Sequence, residues 1–162
     1  MNLERSGRGE LVFRDLPRIC ADALRVVPVV LESDDPRVRD RRLPRVYEDD
    51  ALEQEWRRIG APELEHLFVS RTELIRKDLS ALERRRDGSF TLRVPERHEA
   101  AWLSGLNAAR HALFLLNALE PADMERDPAE LDDPRRALAL LHIHWLAYLQ
   151  ELMLHAESPP AP

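Results

Sequence analysis

"PRRALALLHIHWLAYLQELMLHAE", residues 134–157, decides what kind of fold this chain can make. Asp133 and Pro134 supply a helix start, because an aspartate can cap the first amides and proline suits the first helical position. From Ala137 to Gln150 there is no Asp, Glu, Lys or Arg. A helix apolar on nearly all sides belongs in the middle of a bundle or at a subunit interface. Within it, Trp145, Tyr148, Leu149 and Leu152 follow the three-four spacing of a core stripe with Leu138 and Leu141. His142 and His144 lie about 200° apart around such a helix, so the two cannot ligate one metal together. They read as structural or half-exposed histidines, and "HIHWLAYLQE" reads as core rather than as a site.

A second stretch behaves the same way. "PERHEAAWLSGLNAARHALFLLNALE", residues 95–120, begins at a proline and carries Arg110 as its one charged residue between Ala100 and Leu119. Asn107 and Arg110 share a face with Leu103, Phe114 and Asn117. An arginine placed there needs a carboxylate or carbonyl partner, since leaving it unpaired costs several kcal/mol. Asn107, Arg110, His111 and His144 therefore form a candidate polar cluster, either structural or the lining of an anion or ligand pocket. The acidic loop "EPADMERDPAELDDP" joins the two helices.

Working toward the N-terminus, "SFTLRVP" after Asp87-Gly88 and the stretch after Gly7-Arg8-Gly9 both read as short strands. They are placed near 90–94 and 10–14 and are expected to pair as a two-stranded ribbon on a bundle of four to five helices. Leu16, Ile19, Ala23, Leu24, Val27 and Leu31 make one helical stripe, with a kink or an end expected near Val26 and Val27 because Pro28 removes a backbone hydrogen bond. Residues 33–50 have no sustained period and read as a long connection. Asp50 and Glu53 suggest a capping box for a short helix to Ile59, closed by Gly60 and restarted at Pro62. The next helix runs to about Arg85, with an interruption expected near Val69 from a second capping box at Ser70 and Glu73. Arg71 and Asp78, close to its apolar stripe, are candidates for pairing between helices.

Composition limits the function classes. A chain of 162 residues, 44% hydrophobic and 33% charged, fits one domain over residues 1–156 with a disordered Pro-rich tail at 157–162. No uninterrupted apolar run approaches a membrane span and the N-terminus lacks an apolar leader, so a cytoplasmic protein without membrane contact is expected. Cys20 is the single cysteine, which rules out a disulfide within one chain and leaves an intermolecular bond or a sulfenic acid as its only redox chemistry. The net charge of −6 opposes general attraction to phosphate backbones. Any nucleic-acid contact would fall on a local patch, and "RVRDRRLPR", with Arg37, Arg39, Arg41, Arg42 and Arg45, is the main candidate beside "ERRRDG". No aromatic residues interleave for base stacking, so nucleic acid is not the favoured partner.

Catalytic patterns are missing at sequence level: there is no glycine-rich phosphate loop, nucleophile elbow or histidine-glutamate zinc helix. No catalytic residue, cofactor or metal is expected. The reading favours a non-enzymatic regulatory or protein-interaction protein, self-associating as a homodimer or meeting a protein partner. A sensor of a small anion around Arg110 is the alternative.

"ERSGRGELVFRDL", "VPERHEAAWLSGLNAAR" and "DDPRRALALLHIHWLAYLQELML", in this order and spacing, make the chain resemble a family of uncharacterised bacterial proteins. The family is best represented in actinobacteria and typified by the actinomycete oxidative stress regulator. The resemblance implies a domain of unknown function in most members, a transcriptional or redox regulatory role for the type member, and no established catalytic residues. Asn107 and Arg110 match its central-helix pattern; Trp145, Leu149 and Gln150 match its C-terminal one. A switch built on a pair of cysteines has no counterpart here, where Cys20 stands alone.

Overall fold

The computed structural model describes residues 1–156, so the Pro-rich tail lies outside the described residues. The chain is mainly helical, with β1 (Asn2–Arg5), β2 (Leu11–Leu16), α1 (Arg18–Leu31), α2 (Pro36–Arg42), α3 (Asp50–Ser80), β3 (Glu83–Arg84), β4 (Phe90–Val94), α4 (Glu99–Leu116) and α5 (Pro134–His155). Short 3₁₀ turns at Glu96–His98, Pro121–Glu125 and Pro128–Glu130 fill the connections before and after α4.

The sheet has four antiparallel strands in the order β1-β2-β4-β3, which corrects the expected two-stranded ribbon. Both expected strands exist and pair with each other, Leu11 opposite Val94 and Phe13 opposite Leu92. What the ribbon reading left out is that each turn before them closes a hairpin. Ser6 to Glu10 turns β1 onto β2, and Arg85 to Ser89 turns β3 onto β4. The register of β2 against β4 shifts between Phe13 and Leu16, where Asp15 takes a left-handed φ of 54°.

Helix α4 is the centre of the molecule and packs against α5, α1, α3 and α2. Small residues on its buried face, Ala101, Gly105, Ala109 and Ala112, allow that close approach. A Cβ at Gly105 would stand 2.2 Å from Cδ1 of the fully buried Ile75. Arg5 clamps β1 to the first turn of α4 through two hydrogen bonds to Glu99, of 2.6 and 3.1 Å.

Four helix boundaries differ from expectation, the simplest being that the helix expected to reach about Arg85 ends at Ser80, because Glu83 and Arg84 pair with β4 as β3. Helix α1 continues through Pro28, because the proline stands in the last turn and Val27, Pro28, Val30 and Leu31 are all buried there, so packing offsets the missing bond. Residues 36–42 form α2 rather than loop: Asp35 caps it through the Arg37 amide at 2.9 Å and Pro36 occupies its first position. Helix α3 is unbroken from Asp50 to Ser80, with no stop at Gly60 and no interruption near Val69. Gly60 is there because the ring of Trp56 lies on its backbone, 2.0 Å from where a Cβ would be. The cap of α3 is Asp49, which accepts from the amides of Ala51 and Leu52, while Glu53 reaches back to the amides of Val46 and Tyr47. Ser70 caps nothing; its hydroxyl donates to the carbonyl of His66 inside the helix.

Helix α5 turns a different face inward from the one expected. Ala139, Leu140, His142, Ile143, Leu146, Leu149 and Met153 are buried. Of the expected stripe Leu149 is in the core, Leu141, Trp145 and Leu152 are half-buried, and Leu138 and Tyr148 are 49% and 43% exposed, so most of the stripe lies at the edge of the core or outside it. In a helix without charges both faces satisfy the spacing, and packing alone selects one. By length and mean hydropathy α5 could cross a membrane, although it contains no uninterrupted apolar run of that length; in the fold it packs on α4 and α1.

Candidate functional site

The helical repeat puts Asn107, Arg110 and His111 on neighbouring positions of α4, and the structure opens a cleft over them. It measures about 470 Å³ and is completed by Phe114, Pro121 and Met124 near the end of α4 and by Ile143 of α5. His144 is not among the lining residues, so three of the four residues of the expected cluster come together and one does not.

Arg110 is half-buried, and the partner it finds is neutral. Its Nη1 donates to Oε1 of Gln150 on α5 at 3.0 Å, and Nε2 of the same glutamine donates to the carbonyl of Leu103 at 3.3 Å. The Nε of Arg110 is buried and meets no acceptor among the described residues. No carboxylate among the described residues forms an ion pair with this guanidinium. His111 is held below the ordinary imidazole pKa, first by burial and then by the charges of Arg41 and Arg110. It is therefore a neutral imidazole at pH 7, able to donate and accept one hydrogen bond each.

A second cleft of about 200 Å³ lies between α2 and α4, with Arg41, Arg42, Phe68, Ser104, Asn107 and His111 in its walls. Asn107 and His111 line both clefts, so the two adjoin. This places Arg41, read from sequence as part of a separate basic patch, in the same neighbourhood as Arg110.

The basic patch itself is largely spent on structure. Arg37 pairs with Asp35 at 2.8 Å. Arg42 donates to the carbonyls of Leu31 and Ser33 at 2.7 and 3.2 Å, and Arg45 to Asp50 at 2.6 Å. Arg39 and Arg41 are the two of the five without a side-chain hydrogen bond or ion pair among the described residues.

The pairing between helices expected of Asp78 and Arg71 is present, but sequence reasoning missed the partners. Asp78 of α3 is buried and accepts Nδ1 of His98 at 2.9 Å and Nε1 of Trp102 at 2.9 Å. Arg97 donates through Nε to His98 Nε2 at 3.3 Å, which fixes the imidazole proton on the Nδ1 side, toward Asp78. With both nitrogens engaged and no hydroxyl or thiol partner, this is a clamp joining α3 to α4. Arg71, one heptad earlier, adds a bond to Ser104 at 3.1 Å. The signal available was the i, i+4 spacing of His98 and Trp102.

Among the described residues no group of three or more His, Cys, Asp or Glu is arranged to hold a metal ion. Cys20 is fully buried, and burial pushes its thiol up to about 12, so the nucleophilic thiolate is not populated near neutral pH.

Comparison with curated proteins and with solved structures finds no match. A family model described as a domain of unknown function matches residues 10–157, nearly the whole chain. This protein belongs to that family, DUF2017.

Proposed function

We propose that this protein is a non-enzymatic regulatory protein that acts through protein contacts, first of all with a second copy of itself, across the outer face of α5. The observation that carries this reading is the stripe Leu138, Leu141, Trp145, Tyr148 and Leu152. It keeps the three-four alternation of a helix-pairing seam, contains no charge, and is left half-exposed or exposed. Trp145 and Tyr148 already pack edge to face at 6.0 Å, which presents a preformed aromatic surface. A seam without charges has no electrostatic selection against its own copy, and a two-fold axis would set like residues against like.

The resemblance to the actinomycete oxidative stress regulator supports a place in stress response or transcriptional control, and a cytoplasmic location fits such a role. A thiol switch within the chain does not belong to this reading, since the one thiol is buried. Nucleic acid is a weaker partner for the same protein, because three of the five arginines of the basic segment are held by internal acceptors.

Light scattering at tens of micromolar tests the proposal. The wild type should weigh twice the 18.8 kDa of one chain, and the double variant Trp145→Glu, Tyr148→Glu should weigh one chain while keeping its helical circular dichroism. A monomeric wild type would sink the self-association.

A second reading, a sensor of a small anion, is favoured by the lack of any carboxylate on Arg110. Binding of an anion that persists unchanged in Arg110→Ala would remove it.

A further inference from the structure

Three guanidinium groups line the adjoining clefts over His111 without a carboxylate partner: Arg42, taken up by the carbonyls of Leu31 and Ser33, and Arg110 and Arg41, which are not so held. Arg110 is satisfied only in part, by the neutral Gln150, with its Nε buried and unmatched. Arg41 reaches the same region from α2 and bonds to no side chain or carbonyl among the described residues. Both charges act on His111, and neither an aspartate nor a glutamate lines either cleft. A cation held partly out of water and without a counter-charge is costly unless an anion supplies one.

The rest of the lining limits the kind of anion. Phe114, Met124, Ile143 and Pro121 make most of the larger cleft apolar. A volume near 470 Å³ falls in the range of sites for small organic molecules. Two cations beside an apolar wall suit one anionic group on an apolar body; a polyphosphate would ask for more charge and less hydrocarbon.

We propose that these clefts bind a small amphipathic carboxylate, its headgroup beside His111 within reach of Arg110 and Arg41, its alkyl body laid against Phe114, Met124 and Ile143. Asn107 and the neutral His111 add hydrogen bonds at the mouth. This inference rests on the sensor reading and specifies its ligand class and its second cation.

The test is calorimetric titration of the full chain with sodium octanoate, sodium acetate and 1-octanol, using wild type, Arg110→Gln and Arg41→Gln, each checked for native circular dichroism. Octanoate should bind one site per chain and more tightly than either acetate or octanol. Arg110→Gln should weaken it about tenfold or more, and Arg41→Gln, on an exposed cation, about two- to fivefold. Octanoate affinity equal in wild type and Arg110→Gln, or no binding of either carboxylate, would overturn the sensor reading together with this inference. Arg110-dependent binding in which acetate equals octanoate, or in which Arg41→Gln has no effect, would leave the sensor reading standing and overturn the ligand class or the second cation.

Discussion

Arg110 on α4 donates to Gln150 on α5 across the most extensive helix pair of the fold, and the acceptor is an amide oxygen rather than a carboxylate. A charged donor with a neutral acceptor is a compromise that a single substitution can alter in either direction. Gln150→Glu offers the guanidinium an opposite charge but gives up the Nε2 bond to the Leu103 carbonyl. It should weaken octanoate binding, because the counter-charge is then built in, and leave stability in urea unfolding within about 1 kcal/mol of wild type, the ion pair offsetting the lost bond. Gln150→Leu should lower stability by about 1–3 kcal/mol by leaving a partly buried cation without that acceptor.

Asp78 holds two donors in the core, so its removal strands both. Asp78→Ala should cost about 3 kcal/mol or more, whereas Asp78→Asn keeps an acceptor for one donor and should cost clearly less. Tryptophan fluorescence, to which Trp56, Trp102 and Trp145 all contribute, follows the loss: its midpoint in urea should fall in the same order. Equal midpoints for wild type and Asp78→Ala would refute the clamp.

Helix α4 ends in a left-handed residue that is not glycine. Ala118 has φ of 47°, with its amide bonded to the Leu115 carbonyl and that of Leu119 bonded to the Phe114 carbonyl. This double bond pattern is the one at which glycine is preferred, since a Cβ is strained there. Ala118→Gly should therefore stabilise the protein by about 0.5–1 kcal/mol, net of the entropy glycine adds to the unfolded chain. A lower melting temperature for this variant would contradict the assigned geometry.

His142 is buried on α5, its Nε2 meets no acceptor among the described residues, and burial lowers its pKa despite an opposing pull from Asp22. The unfolded chain then binds a proton that the folded one resists. Stability from this group is complete above the unfolded value of about 6.5 and declines as pH falls below it. His111, lowered in the same direction, adds to the slope. Urea midpoints measured from pH 7.5 to 5.5 should fall, and His142→Leu should flatten the curve without abolishing it.

How far the fold could be read depended on whether a signal was local. Asp133-Pro134 announced α5 correctly, and the identical pair Asp35-Pro36 announced α2 but was passed over, because only Val38 of that short helix is buried and no apolar period follows. Pro28 and Gly60 carry strong local meaning as breakers, yet α1 and α3 run through them, since buried neighbours in one case and the Trp56 ring in the other outweigh it. Of the inward face of α5 only Leu149 was legible: Leu138 to Leu152 and Ala139 to Met153 are equally periodic, and α4 chooses between them. The candidate cluster was legible as Asn107, Arg110 and His111, which share one helix face. Arg41 was not, because its place beside His111 depends on how α2 docks on α4.

Helix α3 spans about 46 Å at 1.5 Å per residue, yet from Asp50 to Arg71 only Ala61 is fully buried. The Asp78 clamp, Ile75 and Thr72 all lie in its last third. The helix consequently has two ends with different lifetimes. Its C-terminal turns can open only when the whole core opens, while the turns from Asp50 to Ile59 are held by the Asp49 cap and by Glu53 and can fray at little cost. Backbone amides along this one continuous helix will exchange with solvent over widely different times, fast at the Asp49 end and slow beside Asp78. A partner that grips the Asp50 end can reorder it without disturbing the core.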